Sequence, residues 1–474
     1  MYTKAVTLAI VLILTCIQGG FSENQTPTVS PIYPSDELPF NVLIEKTDFS
    51  LPNGIHSYVS AIYDGKWLLL AGRTNGMHTF NNNSDNFPPN KQNTTVYVVD
   101  PRHQTVAFKS LDDSTSGLTQ NQIDLLSVTS CEFYQHEKTL YVAGGYGVDT
   151  ATGLFNTKDS LTAIDIPGFM HWVTSSSNEE TAVQHIRQTS NPLLQVTGGY
   201  MSRVNEHLTL LVFGQNFTTF YTPGTNGIYT EQVRRFHLVD DGKKLIIHPK
   251  ESEAPNPNYR RRDLNVVPII QKSHEFYLSG YAALSGVFTL TGGAWTVPVL
   301  ISSEGTTSMA DPDDPNTFKQ GMNNYACPTI GLFCKKSHKM YVVICGGISY
   351  GSFHDGVFTK DPKLPFINQL TTVEINKEGV FKQFIMEDKY PVVLTPNDKH
   401  RLRFGAGAQF LPVGGLPAYK NGVLKLNKLE QERVLLGYIV GGIQSKVGNT
   451  KTRADSGASP HIFKVFLEPK DKTH

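Results

Sequence analysis

The chain has 474 residues, with 42 lysines and arginines balanced by 42 aspartates and glutamates. A formal charge of zero argues against a general binder of nucleic acid or other polyanions, which would carry a basic excess. Length alone points to two or three domains, but a strand cassette that recurs along the chain overrides that reading.

Residues 5–18 form an apolar run after Lys4, and the small residues Gly20 and Ser22 follow it. This is the pattern of a secretory signal over residues 1–22, removed near Ser22. The run is too short for a good bilayer span, and no later segment is long and apolar enough. The mature chain is therefore expected to lack a transmembrane segment and to be secreted, periplasmic or held in a cell envelope. Cys16 follows Ile13-Leu14-Thr15, where a lipoprotein signal prefers small residues, which disfavours a lipid anchor. Residues 23–37, rich in Pro, Ser, Thr and Asn, read as a flexible leader. The folded domain is expected over 38–470, with 471–474 as a tail.

Phe40–Lys46 reads as a lone strand ahead of the first complete repeat. An orphan of this kind completes the last unit of a ring, whose free edge would otherwise leave backbone groups unpaired. The cassettes then follow at 68–72 (Leu-Leu-Leu-Ala-Gly), 140–145, 210–214, 276–280, 342–347 and 438–442. Each is an apolar strand ending in Gly or Gly-Gly. The step is about 66–72 residues until the last, which is about 95; a regular repeat of strands implies a closed ring of small sheets.

Within the repeats, Ser57–Tyr63 and Lys66–Ala71 make a hairpin around Asp64-Gly65, a strong turn pair. Thr95–Asp100 and Thr105–Lys109 supply the outer strands. The second unit carries Thr139–Ala143 and Leu161–Asp165, with a last strand expected near Trp172. The third carries Leu208–Phe213 and Val233–Val239, and the fourth begins at Leu264. The fifth carries Met340–Cys345 and Leu370–Ile375. The sixth carries Arg433–Val440 and His461–Phe466, with no fourth strand of its own, so residues 40–46 fit the vacancy. The expected class is all-β: a six-bladed propeller closed by an N-terminal strand. A second Gly pair after Thr291 leaves seven blades as the alternative.

The strand-Gly-Gly-loop-strand pattern over residues 40–469 resembles the Kelch-type β-propeller family, within the galactose-oxidase-like superfamily, in a divergent, secreted, bacterial-looking form. The units are longer than the usual Kelch repeat of about 50 residues. Single glycines at 72, 214 and 280 replace the doublet, and the family's Trp is mostly missing. No family activity carries over residue by residue.

In a propeller, the loop after each second strand and the loop entering each first strand open onto one face. After the second strands come Arg73, Asn75, Tyr146, Asn216, Tyr281, Tyr350 and Gln444; entering the first strands come His56, Arg262, Asp263, Asn324, Arg401 and Arg403. Arg offers planar forks for carboxylates or sulfates, and Tyr offers a face for a sugar ring. Arg73, Tyr146, Arg262, Asp263, Tyr281, Asn324, Tyr350 and Arg403 are the ligand-binding candidates at this channel mouth, against the plainer reading that they pack and solvate loop ends. The expected partner is a glycan or a protein.

Two further readings stay open: an enzyme acting on an acidic sugar, epimerase- or lyase-like, with Asp263 as a weak acid/base candidate beside clamps Arg262 and Arg403, and an envelope scaffold. No His-Glu-x-x-His, Gly-x-Ser-x-Gly or sialidase-type Asp box occurs, and the adjacent Tyr-His pair of copper-radical oxidases is missing. No C-x-x-C pair is present, and Asp311–Asn316 lacks the Gly and distal Glu of a calcium loop; no metal or cofactor is expected. Cys327 and Cys345 flank an expected hairpin, which leaves a disulfide between them open.

Overall fold

The computed structural model describes residues 29–79, 86–177, 179–222, 227–273, 275–322, 326–429 and 431–470. The expected signal (1–22), Asn324 and the tail lie outside the described residues. Five four-stranded sheets and one six-stranded sheet carry the fold. Their first strands are Val59–Tyr63, Glu132–His136, Tyr200–Asn205, Asn265–Ser273, Thr329–Cys334 and Ala408–Pro412; they are numbered sheets 1 to 6 in that order. Sheet 5 gains two edge strands, Ile32–Pro34 and Leu424–Lys425, that pair parallel to it. The only α-helices among the described residues are the short Gln120–Leu126 and Ile166–Thr174, so the class is all-β. No helix there is long and apolar enough to cross a membrane.

The second strands are unbroken apolar runs because both of their faces are covered. In Lys66–Leu70, Leu68 and Leu70 pack toward sheet 2, while Trp67 and Leu69 pack toward sheet 6. Equivalent clusters join sheets 2 and 3, 3 and 4, 4 and 5, and 5 and 6. Each sheet thus lies against the next and the last against the first, which is a β-propeller.

Backbone hydrogen bonds close the same circle at the hub. The Ser57 N–H donates to the Gly407 carbonyl at 2.8 Å, Gly407 to Ala326 at 2.8 Å, and Ala326 to Asp263 at 3.0 Å. Asp263 donates to Gly198 at 2.7 Å, Gly198 to Ser130 at 2.9 Å, and Ser130 back to Ser57 at 3.1 Å. One residue per sheet, just ahead of each first strand, passes the bond on.

Every second strand ends in two residues of left-handed backbone: Ala71-Gly72, Gly144-Gly145, Phe213-Gly214, Ser285-Gly286, Gly346-Gly347 and Gly441-Gly442. The first position tolerates a side chain, which is why some cassettes show one Gly. The second is always Gly. At Gly72 an added Cβ would stand 2.4 Å from the His56 carbonyl oxygen.

The N-terminal ribbon fastens the ring as expected. Phe40–Ser50 runs antiparallel to His461–Pro469, from Phe40 opposite Pro469 to Lys46 opposite Phe463.

Three local expectations are corrected, and the question of a disulfide between Cys327 and Cys345 is answered. The 276–280 cassette is not the end of a second strand: Phe276–Leu284 continues past it, and the left-handed pair is Ser285-Gly286. Trp172 sits in the helix Ile166–Thr174, started by the Asp165 carboxylate accepting from the Gly168 N–H with a Pro in its first turn; the outer strand is Ile186–Ser190. The end of the leader is structured, since Ile32–Pro34 pairs with the outer strand of sheet 5 and Tyr33 packs on Phe384 at 5.8 Å. Cys327 and Cys345 are free thiols. Cys327 packs with the cluster between sheets 4 and 5, and Cys345 with the cluster between sheets 5 and 6.

Candidate functional site at the mouth of the hub

Two-stranded ribbons grow from the connection after the second strand in sheets 2 to 6: Tyr146–Asp149 with Leu154–Thr157, Gln215–Asn216 with Ile228–Tyr229, Val287–Thr289 with Gly292–Ala294, Gly351–His354 with Val357–Lys360, and Ile443–Ser445 with Ser456–Ala458. Short bridges tie the bases of the ribbons in sheets 2 to 4 to the loops entering the first strands, Thr129 to Tyr146, Thr197 to Gln215 and Arg262 to Val287, and His56 to Arg73 makes the same tie in sheet 1. Both sets of loops therefore open on one face. They wall a cavity of about 760 Å³.

The floor of the cavity is part of the hub ring, with Ser130, Gly198 and Asp263 on it beside Thr129, Thr197 and Arg262. One wall is aromatic. Phe87, Tyr146, Phe217 and Tyr221 pack together at 5.2–5.8 Å between ring centres, edge to face except for the tilted Phe217–Tyr221 pair. The facing wall brings Lys363 and Lys451 from sheets 5 and 6. Arg262 lies 5.8 Å from the Tyr221 ring centre and 5.3 Å from that of Phe288, with its Nε 3.7 Å from Asp263 Oδ2. His78 also lines the cavity, its ring 4.8 Å from Tyr221. Burial, with Arg262 and Arg73 nearby, lowers its pKa to about 4, so it is neutral at pH 7.

Of the eight sequence candidates, Tyr146, Arg262 and Asp263 line this cavity. The Tyr146 hydroxyl donates to the Thr219 carbonyl at 2.9 Å and accepts from the Tyr221 N–H at 3.0 Å, holding the aromatic wall upright. Arg73 is buried, at 2% exposure, and does not reach the cavity. It braces the loop behind the wall: Nε donates to Asn75, Nη2 to the Pro88 carbonyl, and the guanidinium covers Phe87 at 4.7 Å. Tyr281 sits inside sheet 4, its hydroxyl 2.8 Å from Ser202 Oγ; the misplaced cassette shifted it away from the mouth. Tyr350 is buried below the rim, where its carbonyl accepts from the Asp361 N–H. Arg403 donates to the Lys446 carbonyl at 2.8 Å and is not among the lining residues. Asn324 lies outside the described residues. The missed residues, His78, Phe87, Phe217, Tyr221, Lys363 and Lys451, stand in connections with no strand pattern to flag them.

A buried acid lies just behind the floor. Glu132 Oε1 accepts the Gly199 N–H at 2.7 Å, and Oε2 has no partner among the described residues. Burial, with Asp263 adding to it, holds the carboxyl well above the usual carboxylate range, which favours its protonated form. Because the folded pKa is raised, this group's contribution to stability is complete below the ordinary Glu value and declines as pH rises toward the folded value. Glu132→Gln keeps the acceptor and removes that decline. The variant is expected to melt close to wild type at pH 4 and higher than wild type at pH 8, each unit of raised pKa being worth about 1.4 kcal/mol. Thermal unfolding at the two pH values checks this, and an unchanged or lower melting point at pH 8 would contradict a neutral Glu132.

The sheets, the hub ring and the walled mouth define a β-propeller with a cavity at one end of its hub. No family model and no curated protein matches the chain. A solved structure titled "Structure of YjhT" is similar to it, with a TM-score of 0.47 and 10% identity, covering 88% of this chain and 98% of that one.

Proposed function

We propose that this chain is a secreted, six-bladed, Kelch-like propeller that binds a glycan or protein partner at the mouth of its hub. The six-membered hydrogen-bond ring supports the blade count, with sheet 5 as a blade carrying two added edge strands. The repeated left-handed pair at the end of each second strand supports the Kelch likeness. The signal-like residues 1–22 support secretion.

The observation that carries the binding reading is the cavity. Its aromatic wall faces Lys363 and Lys451 across a floor holding Arg262. Concave sites that combine apolar walls with a few convergent polar groups are where small ligands settle. Among the described lining residues, three cations stand against Asp263 alone, which favours a ligand bearing negative charge.

A glycan array on the mature protein, followed by calorimetry on any hit, tests the proposal. Arg262→Ala is expected to weaken the interaction about 10- to 100-fold, the range for losing a charge-assisted hydrogen bond. Arg403→Ala, which alters a group outside the cavity, leaves it unchanged. Equal affinity in wild type and Arg262→Ala, with both folded, would remove the mouth as the binding site.

A second reading, an enzyme acting on an acidic sugar, is favoured by one feature: Asp263, Arg262 and neutral His78 share the same cavity. Product analysis on any bound sugar separates turnover from binding.

A further inference from the structure

The misread cassette at 276–280 marks a second surface, at the end of the fold opposite the mouth. The hairpin of sheet 4, Asn265–Ser273 with Phe276–Leu284, has nine residues in each strand, against five in the equivalent hairpin of sheet 1. The third strand of sheet 4 pairs only with Gly280–Ala283. The outer half of the second strand, Phe276–Ser279, therefore overhangs with no strand beside it among the described residues.

The register shows which backbone groups this leaves open. Pro268 lies opposite Tyr281 and has no N–H to give, so that pair is not hydrogen-bonded. Pairs two and four steps outward, Ile270 with Ser279 and Lys272 with Tyr277, belong to the same class. The N–H and C=O groups of Tyr277 and Ser279 thus point away from their hairpin partner, toward the open edge.

The two faces of the overhang differ. Phe276 and Leu278 project on one face, at 73% and 56% exposure. Tyr277 and its cross-strand neighbour Lys272 project on the other. There Lys272 Nζ lies 3.4 Å from His338 Nε2, and the Tyr277 hydroxyl lies 2.9 Å from His338 Nδ1. Lys335 Nζ stands 5.8 Å from the Tyr277 ring centre, and exposed Lys336 follows it. Among the described residues none of these three lysines is in an ion pair.

We infer that this edge receives an extended acidic peptide from another protein as an added, antiparallel strand. Main-chain bonds to Tyr277 and Ser279 hold it. Its alternating side chains meet Phe276 and Leu278 on one face and the lysines on the other, so the matching pattern is apolar–acidic–apolar–acidic. A second copy of this chain is a poorer fit: a two-fold axis perpendicular to the sheet sets the lysine face of one copy beside the lysine face of the other.

Fluorescence anisotropy on the full mature protein tests this with a labelled short peptide alternating Val and Glu, and a matched peptide alternating Val and Lys. The acidic peptide is expected to bind saturably and at least about tenfold more tightly than the basic one. The double variant Lys335→Glu, Lys336→Glu, altered only at exposed charges, is expected to melt like wild type and to lose about tenfold or more in affinity for the acidic peptide. Amide exchange at Tyr277 and Ser279 is expected to slow when the acidic peptide is added. Equal affinity for the two peptides, or binding with no protection at these amides, would overturn the proposal. Protection without peptide that grows with protein concentration would also overturn it, in favour of a second copy.

Discussion

A chain beginning at Leu51 will not reach a stable monomeric fold. The ribbon Phe40–Ser50 covers the outer edge of sheet 6 along His461–Pro469, and without it that row of backbone donors and acceptors is bare. It also fills the seam between sheets 5 and 6. Leu38, Phe40, Val42 and Ile44 are all buried there, Phe40 standing edge-on to Tyr341 at 5.4 Å. Burying such side chains contributes about 1.5–3 kcal/mol each, or about 6–12 kcal/mol for the four. That is comparable with the whole net stability of a domain, about 5–15 kcal/mol. The truncated chain is expected in the aggregate fraction on size exclusion, with no cooperative melt by circular dichroism. A graded version is Phe40→Ala, expected to cost about 3–5 kcal/mol and to lower the melting point while the ring still closes. A soluble monomeric truncation that melts like the full chain would show that the ribbon is not the clasp.

The clasp was legible in the sequence because it answers a count. Sheet 6 had three strands from its own repeat, and one unassigned strand stood at the start of the chain. The second strands were legible for a related reason: a strand covered on both faces cannot alternate, so unbroken runs such as Leu68–Leu70 mark the inner positions. The reading failed where composition matched without position. Phe276-Tyr277-Leu278-Ser279-Gly280 looks like a strand ending in Gly, but Gly280 lies in mid-strand, where an added Cβ would meet the Ile301 carbonyl oxygen at 2.6 Å. The true ending, Leu284-Ser285-Gly286, was hidden because Ser285 occupies the left-handed position that Gly fills elsewhere. Trp172 misled for another reason. Its apolar neighbours Phe169, Met170 and Val173 bury on one side of a short helix, and in so few residues helical and strand patterns overlap.

The site was only half visible. Tyr146, Arg262 and Asp263 were found because each is a fixed number of residues from a strand end, and the short bridges at the hub preserve that spacing. Arg73 obeys the same spacing, yet its guanidinium turns behind Phe87 instead of into the cavity. A rule about position along the backbone cannot give the direction of a long side chain. Lys363 and Lys451 come from the outer reaches of long connections, where only the completed ring brings sheets 5 and 6 opposite the aromatic wall.

The second large effect is expected at Gly72, and it contrasts two adjacent residues. Both Ala71 and Gly72 have left-handed backbone, with φ of 61 and 83 degrees. Ala71 already carries a Cβ, so its surroundings accept one. Ala71→Gly gives up the left-handed strain of a side chain, about 1–2 kcal/mol, and pays about 0.5–1 kcal/mol in unfolded-state freedom. The net change is expected to stay within about 1 kcal/mol. Gly72→Val meets a different wall. Its Cβ would stand 2.4 Å from the His56 carbonyl oxygen and 2.9 Å from the Tyr58 Cα, and neither backbone atom can swing aside. His56 precedes Ser57, which both donates and accepts in the hub ring, and the Gly72 N–H itself donates to the Val128 carbonyl at 2.8 Å. Moving His56 to admit the side chain therefore pulls on the ring as well as on the tie between sheets 1 and 2. The expected loss is about 4 kcal/mol or more, in the range reserved for severe backbone and packing defects. Urea unfolding of the two variants against wild type measures both. If Gly72→Val and Ala71→Gly shift the midpoint by similar small amounts, the hub has slack that the ring of bonds does not allow, and the closure argued from it fails.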